Sequence, residues 1–140
     1  MAALSDYAEK LLLDWSMTTG SATRPTAWYV ALYTAAPSDS GGGTEVSGSG
    51  YSRQSVTFGA ASSPGGTTSN TNAVTFTASG GSWGTVSHIG IFDNSSGGNL
   101  LWHGSMTASK SVADGDTQGS KWMPWRQQAK YRDWETGNVS

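Results

Sequence analysis

Segment 27–34 constrains the fold more than any other part of the chain. In an extended conformation its side chains alternate between two faces, and both faces are apolar or aromatic: Trp28, Val30 and Leu32 on one, Tyr29, Ala31 and Tyr33 on the other. A strand with one exposed face would instead alternate apolar with polar residues. The segment therefore predicts a central strand that is covered on both sides.

Short apolar segments separated by polar turns make up most of the remaining chain. Of 140 residues, 19 are glycine and only 13% are charged, a balance that favours turns over long surface helices. Further strands are predicted at 51–58, 73–77, 86–93, 99–106 and 109–113. No helix alternates with these strands, which argues against an α/β fold. The predicted fold class is all-β, an antiparallel β-sandwich with a short N-terminal helix and an extended C-terminal arm.

The helix is predicted over residues 4–15. Ser5 is a suitable N-cap, and acidic residues follow it in the first turn. Helical spacing places several apolar side chains on one face that we expect to be buried: Leu4, Tyr7, Ala8, Leu11 and Trp15. Two roles stay open for this helix, namely capping one end of the β-domain and docking on a partner subunit.

The composition changes near Gln118, which predicts a β-sandwich domain at 1–117 and a C-terminal arm at 118–140. The arm holds four of the eight basic residues and three of the seven tryptophans. A native arm and a shifted reading frame both account for this change. For a native arm we expect its tryptophans to bury against a neighbouring subunit. The subunit-interface candidates are therefore Trp122, Trp125 and Trp134, together with Tyr29 and Tyr33 of the central strand.

Three sequence patterns are relevant to catalysis or metal binding. Ser82 matches the G-x-S-x-G nucleophile pattern, which requires a helix after the serine, whereas a strand is predicted there. Residues 114–119 resemble the first half of a calcium loop, but Trp125 stands where the bidentate glutamate is required. In the third, pairing Ile91 with Leu100 in a hairpin places His88 opposite His103. That register predicts a shared core face formed by Ile89, Ile91, Leu100 and Trp102.

These patterns and the charge balance exclude several function classes. Two histidines fall short of the four ligands of a closed metal site, and the chain has no cysteine. We therefore expect no catalytic residue, metal or cofactor. A net charge of −2 gives no reason to expect nucleic-acid binding. The longest aliphatic run, Leu11–Leu13, is too short to cross a membrane, and without a signal peptide we expect synthesis in the cytoplasm.

Three separated phrases carry a family resemblance: TAWYVALYTAAPSD at 26–39, TEVSGSGYSRQSVTFGAAS at 44–62 and SWGTVSHIGIFDNSSGGNLLWHGSMT at 82–107. In this order they resemble the small tail-fibre-like and minor tail proteins of tailed bacteriophages, over roughly residues 4–116. The resemblance implies a non-enzymatic virion protein, made in the host cytoplasm and located at the tail, fibre or baseplate. It also implies a homo-oligomer, by analogy a trimer, that docks to other phage structural proteins.

Two alternatives remain open at this point. A capsid decoration protein would also be a small, β-rich, charge-poor oligomer. A carbohydrate-binding module would contact a host glycan through exposed aromatic rings.

Overall fold

Residues 2–119 are described by the structure, a computed structural model, and they form one helix and eight strands. The elements are β1 (Ala2–Leu4), α1 (Asp6–Met17), β2 (Trp28–Ala35), β3 (Thr44–Glu45), β4 (Gln54–Val56), β5 (Thr75–Thr77), β6 (Gly84–Phe92), β7 (Leu100–Val112) and β8 (Thr117–Gly119).

Two antiparallel sheets contain these strands. The six-stranded sheet has the order β1-β7-β6-β2-β3, with β4 also paired to β2, and the two-stranded sheet pairs β5 with β8. The main core joins side chains of both sheets, including Val30, Leu32 and Ile89 of the large sheet and Phe76 of the small one. The antiparallel, sandwich-like all-β fold is thus confirmed.

Strand β2 is central, as its two apolar faces predict. It pairs with β6 along one edge and with β3 and β4 along the other. Val30 and Leu32 pack into the main core, while Ala31 and Tyr33 form a smaller buried cluster on the opposite face with Phe92 and Leu100. Both faces of the strand are therefore covered within the chain.

Helix α1 begins where its cap predicts but is covered less than its stripe predicts. Ser5 is the N-cap, and its Oγ accepts a hydrogen bond from the Ala8 backbone N–H at 3.2 Å. Leu4 belongs to β1, paired with β7, so the helix starts later than expected. Ala8 is buried, but Trp15 is 75% exposed, so the expectation of a fully buried face was wrong. The apolar stripe continues past the part of the domain that covers it.

The register of the β6–β7 hairpin differs from the expected one by two residues. One comes from the pairing at the connection, where Phe92 meets Leu100, and the other comes from a bulge in β7. Ile91 pairs with Trp102 and Phe92 pairs with Leu100, which leaves Leu101 as an extra residue. His88 consequently pairs with Ser105, and His103 pairs with Gly90. The expected pairing of the two histidines was wrong, since alternation along one strand determines neither the pairing at the connection nor an inserted residue.

The same bulge changes the expected core face. Ile89, Ile91 and Leu100 are buried as expected, but Trp102 is 43% exposed, so its assignment to the core was wrong. Leu101 packs with Ile91 and Ala8 instead. Leu100 packs with Phe92 on the opposite face. At the bulge Leu101 and Trp102 both lie across from Ile91. The smaller side chain, that of Leu101, is buried, and that of Trp102 is exposed.

Strand β8 ends the described region. Its Gln118 is buried and pairs with Phe76, so regular structure extends two residues past the proposed domain boundary at 117. The interface candidates Trp122, Trp125 and Trp134 lie outside the described residues. Within residues 2–119, no helix is long and apolar enough to cross a membrane.

Candidate functional site

Ser82 lies in a loop and is engaged in local hydrogen bonds. Its Oγ donates to the Val112 carbonyl at 2.7 Å and accepts from the Gly84 backbone N–H at 3.1 Å. Strand β6 follows it, so the strand–serine–helix arrangement of a nucleophile elbow is not formed there. The serine therefore closes a turn.

The groups considered for metal binding have separate protein partners. His88 Nδ1 lies 2.8 Å from Ser87 Oγ, whereas His103 Nε2 lies 2.7 Å from Asp39 Oδ1. Asp114 Oδ1 accepts a hydrogen bond from the Gly80 backbone N–H at 2.9 Å. Among the residues that the structure describes, no cluster of three or more His, Cys, Asp or Glu could hold an ion.

The second half of α1 presents an apolar surface to solvent. Trp15 and Met17 are 75% and 77% exposed, and Leu12 and Leu13 are also exposed. Leu13 and Met17 project from a different side than Leu12 and Trp15, because each residue of a helix is rotated by about 100° from the one before it. We name these two groups the Leu12/Trp15 patch and the Leu13/Met17 patch. Exposed apolar patches of this kind mark interaction sites.

Anchoring at one end explains why α1 is so exposed. The Ser5 backbone N–H donates to the Leu101 carbonyl at 2.9 Å, and its Oγ donates to the Leu100 carbonyl. The Asp6 backbone N–H donates to the Asp39 carbonyl at 2.9 Å. These bonds hold the first turn, while Ala8 is the only buried residue of the helix. Beside the Leu12/Trp15 patch runs an apolar groove of about 230 Å³, with Ala22 and Arg24 on its far wall.

A larger cleft of about 450 Å³ lies at the first turn of α1. The turn at 38–42 and the β6–β7 connection form its other sides. Its lining combines aromatic and aliphatic side chains with carboxylate, hydroxyl and amide groups: Ser5, Asp6, Tyr7, Tyr33, Asp39, Ser40, Gly41, Gly42, Phe92, Gly98, Asn99 and Leu100. No lysine or arginine is among them.

The polar groups of the cleft are held in place by neighbours. Asp39 Oδ1 pairs with His103, as described above. Asn99 donates twice to the carboxylate of Asp93, from its backbone N–H at 2.6 Å and from Nδ2 at 2.8 Å. These bonds orient the side chains and leave Asp39 Oδ2 and Asn99 Oδ1 without a hydrogen bond to any residue of 2–119.

Tyr33 lies on the floor of the cleft and is only 4% exposed. Its ring crosses Gly90, where an added Cβ would come within 3.1 Å of Tyr33 Cε2. Burial, with a further contribution from the Glu45 charge, raises the pKa of Tyr33 to about 12, so the hydroxyl stays protonated.

An Arg53 network supports one wall of the cleft. Arg53 pairs with Glu45 through two hydrogen bonds of 2.8 Å, and its Nη1 donates to the carbonyls of Asn94 and Gly97. Its guanidinium also lies 3.5 Å from the centre of the Phe92 ring. One side chain therefore fixes the 93–99 connection against the sheet.

The electrostatics of this network follow from burial and pairing. Burial alone would raise the pKa of Glu45, but hydrogen bonds from Arg53 and Tyr51 and the Arg53 charge outweigh it and lower that pKa. Hydrogen bonding to Glu45 raises the pKa of Arg53 despite partial burial. Both groups stay ionised at neutral pH.

Sequence reasoning missed the Arg53 network and the cleft. A signal was present, because Arg53 is one of few cations before the C-terminal segment and follows Glu45 by eight residues in a charge-poor chain. The cleft gave no comparable signal, since its lining comes from four separate segments. Of the tyrosines proposed for a subunit interface, Tyr29 is half-buried and Tyr33 is buried within the chain.

A comparison with protein-family models identifies the family of the chain. The model described as podophage GP4 fiber I protein gp80 matches residues 3–120. The chain belongs to this family. The match covers α1, strands β2 to β8 and all but the first residue of β1, so the fold above is that of a gp80 fibre-family member, and the tail-fibre-like resemblance is confirmed. A search of curated proteins found no match to the chain.

Membership of the gp80 fibre family has a consequence for the surface of the chain. A fibre protein is a virion component with a structural role, so surfaces for other protein chains are expected on it. The two patches on α1 and the cleft are candidates for such surfaces.

Proposed function

We propose that the chain is a non-enzymatic subunit of a phage tail fibre that assembles with copies of itself through α1. The supporting observation is that Trp15 and Met17, on different sides of one helix, are each about three-quarters exposed. Exposed apolar side chains on two sides of one helix, beside its polar Glu9, Lys10 and Asp14, are typical of a surface that contacts other protein. Burying those side chains contributes roughly 25 cal/mol per Å² of apolar area.

A closed ring of copies fits the two patches. If the Leu12/Trp15 patch of one subunit contacts the Leu13/Met17 patch of the next, each subunit uses two different surfaces. Such a head-to-tail contact closes by rotation, and three subunits form the smallest ring in which every copy has two neighbours. The expected state is therefore a trimer, which then docks to other virion proteins after synthesis in the host cytoplasm.

The fibre role is favoured over capsid decoration by the family description, which names a fibre. A carbohydrate-binding role does not compete with assembly, because the cleft and the second half of α1 are separate surfaces.

Light scattering of the purified chain at tens of micromolar tests this proposal. The wild type should have the mass of a trimer. Leu12→Ser with Trp15→Ser should yield a monomer, and so should Leu13→Ser with Met17→Ser, because a ring needs both patches. Glu9→Ser, an exposed polar change on the same helix, is the control and should leave the trimer intact. A monomeric wild type, or a variant pair that leaves its mass unchanged, would contradict the proposal.

A further inference from the structure

The apolar groove beside the second half of α1 is smaller than a typical small-molecule site. Its volume of about 230 Å³ lies below the range of about 300–1,000 Å³ that such sites usually have. Leu11, Leu12 and Trp15 form the wall on α1, and Ala22 and Arg24 form the far wall. A groove of this size and lining fits one large apolar side chain of a protein.

Arg24 gives the groove a preference for negative charge. Its side chain is exposed, and it forms no hydrogen bond or ion pair with any residue of 2–119. The acidic residue next to Trp15 on the helix, Asp14, is already paired with Lys10. An occupant that combines an apolar ring with a carboxylate would therefore fill the groove and pair with Arg24.

The C-terminal segment of the chain contains one sequence of that composition. Trp134 stands between Asp133 and Glu135, which are the two acidic residues of 120–140. Fourteen residues separate Trp134 from the end of β8. An extended chain advances about 3.3–3.6 Å per residue, so this connection spans up to about 50 Å, which is enough to cross a domain of this size.

The other two tryptophans of the segment have basic neighbours. Lys121 precedes Trp122, and Arg126 follows Trp125. In the groove, either of these bases would bring a like charge to Arg24, which disfavours binding. The charge of the groove therefore distinguishes the tryptophan with acidic neighbours from the other two.

We propose that residues 133–135 of a neighbouring copy occupy this groove, with Trp134 between its walls and the two carboxylates beside Arg24. Burial of the ring removes apolar area of both partners from water, which is the main driving force of association. The charges determine which tryptophan enters. The groove adjoins the Leu12/Trp15 patch, so the contact enlarges the subunit interface of the proposed assembly, on which the choice of a neighbouring copy rests.

Disulfide trapping in the full-length chain tests which tryptophan enters the groove. The chain has no cysteine, so two introduced thiols report on a single contact. Ser21→Cys places a thiol beside the groove without changing its lining, and Thr136→Cys places one two residues after Trp134. In a glutathione redox buffer this pair should form a disulfide roughly tenfold or more faster than the matched control pair Ser21→Cys/Gln127→Cys, whose second thiol lies two residues after Trp125.

Charge reversal tests the role of Arg24. In the chain that carries the first thiol pair, Arg24→Glu should slow trapping roughly threefold to tenfold, because it brings like charges together. Adding Asp133→Lys and Glu135→Lys should restore the rate. Lys110→Glu makes the same change in net charge at a residue that does not line the groove, so it should leave the rate unchanged. Thermal unfolding of each variant verifies that the domain is folded.

Equal trapping of the two thiol pairs, an unchanged rate in Arg24→Glu, or no recovery after the compensating reversals would each overturn the proposal. The expected product is a disulfide between two chains. A trimeric wild type without selective trapping would contradict only this proposal. A monomeric wild type in which the first pair closes selectively within one chain would contradict the assembly proposal and the choice of a neighbouring copy, while the match of Trp134 to the groove would stand.

Discussion

Arg53 illustrates how much of this fold depends on single polar side chains. It bonds Glu45, two backbone carbonyls and the face of an aromatic ring at once, and its side chain is 9% exposed. In such an ion pair each charge compensates the other. Removing one partner leaves a partly buried charge without its opposite charge, which destabilises the fold. The network therefore matters more through the position it imposes on the 93–99 connection than through charge attraction alone.

Arg53→Ala should accordingly lower the free energy of unfolding by about 2–4 kcal/mol, because it leaves two carbonyls unpaired and leaves Glu45 with only the Tyr51 hydroxyl as a donor. Denaturant unfolding measures this. Lys10→Ala is the control, since the Lys10–Asp14 pair lies on the helix surface and such pairs contribute about 0–1 kcal/mol. Equal effects of the two substitutions would show that the Arg53 network is not structurally important.

The same network predicts an acid-sensitive contribution to stability. The folded-state pKa of Glu45 lies below its usual 4.5, so the folded state binds the proton more weakly than the unfolded state does. The stabilisation is present above the usual pKa and is lost as pH falls through the lower folded value. The free energy of unfolding of wild type should fall more steeply below about pH 4.5 than that of Glu45→Gln. Parallel curves for the two proteins would contradict this.

Ser5 joins two elements, since it caps α1 and bonds β7. Its Oγ accepts from Ala8 and donates to Leu100, and the side chain is 1% exposed. Ser5→Ala should cost about 1–2 kcal/mol of unfolding free energy, because it removes the cap and leaves a buried carbonyl unpaired. Ser16→Ala, at an exposed position of the same helix, is the matched control and should change stability by less than about 0.5 kcal/mol. Thermal or denaturant unfolding of both variants distinguishes them.

Local pattern was sufficient for some elements and insufficient for others. Alternation at 28–33 predicted a central strand with two covered faces, and the serine before an acidic first turn predicted the cap, because both depend on nearby residues. The bulge at Leu101 is a register event between two strands, which alternation within one strand does not encode. Helical spacing places Trp15 on the expected face of α1. Spacing does not determine whether the β-domain is long enough to cover that part of the helix.

The functional surfaces were harder to predict for a related reason. The cleft combines the first turn of α1 with Tyr33, Asp39 and Asn99, which topology alone brings together. The two patches on α1 became visible only once the helix was seen to be anchored at one end. In both cases the individual residues are ordinary, and the tertiary arrangement is what gives them a role.

We expect several copies of the chain to assemble into a fibre component. Residues 120–140 are expected to contribute to contacts between those copies. The main core is formed by residues 30–112, and β8 is complete at Gly119. A chain that ends at Gly119 should therefore keep the folded domain with its cleft and both α1 patches. The proposed contribution of Trp122, Trp125 and Trp134 to a neighbouring subunit would be lost.

We expect this truncated chain to unfold cooperatively near the wild-type temperature but to associate more weakly, because apolar burial contributed by three tryptophans is removed. Sedimentation of the truncated and full-length chains at matched concentrations measures the difference. Trp122→Ala, Trp125→Ala and Trp134→Ala combined in the full-length chain is the matched control for chain length and should reproduce the weakening. If the truncated chain associates as strongly as the full-length one and enters particles equally well, the C-terminal segment is dispensable and assembly rests on α1 alone.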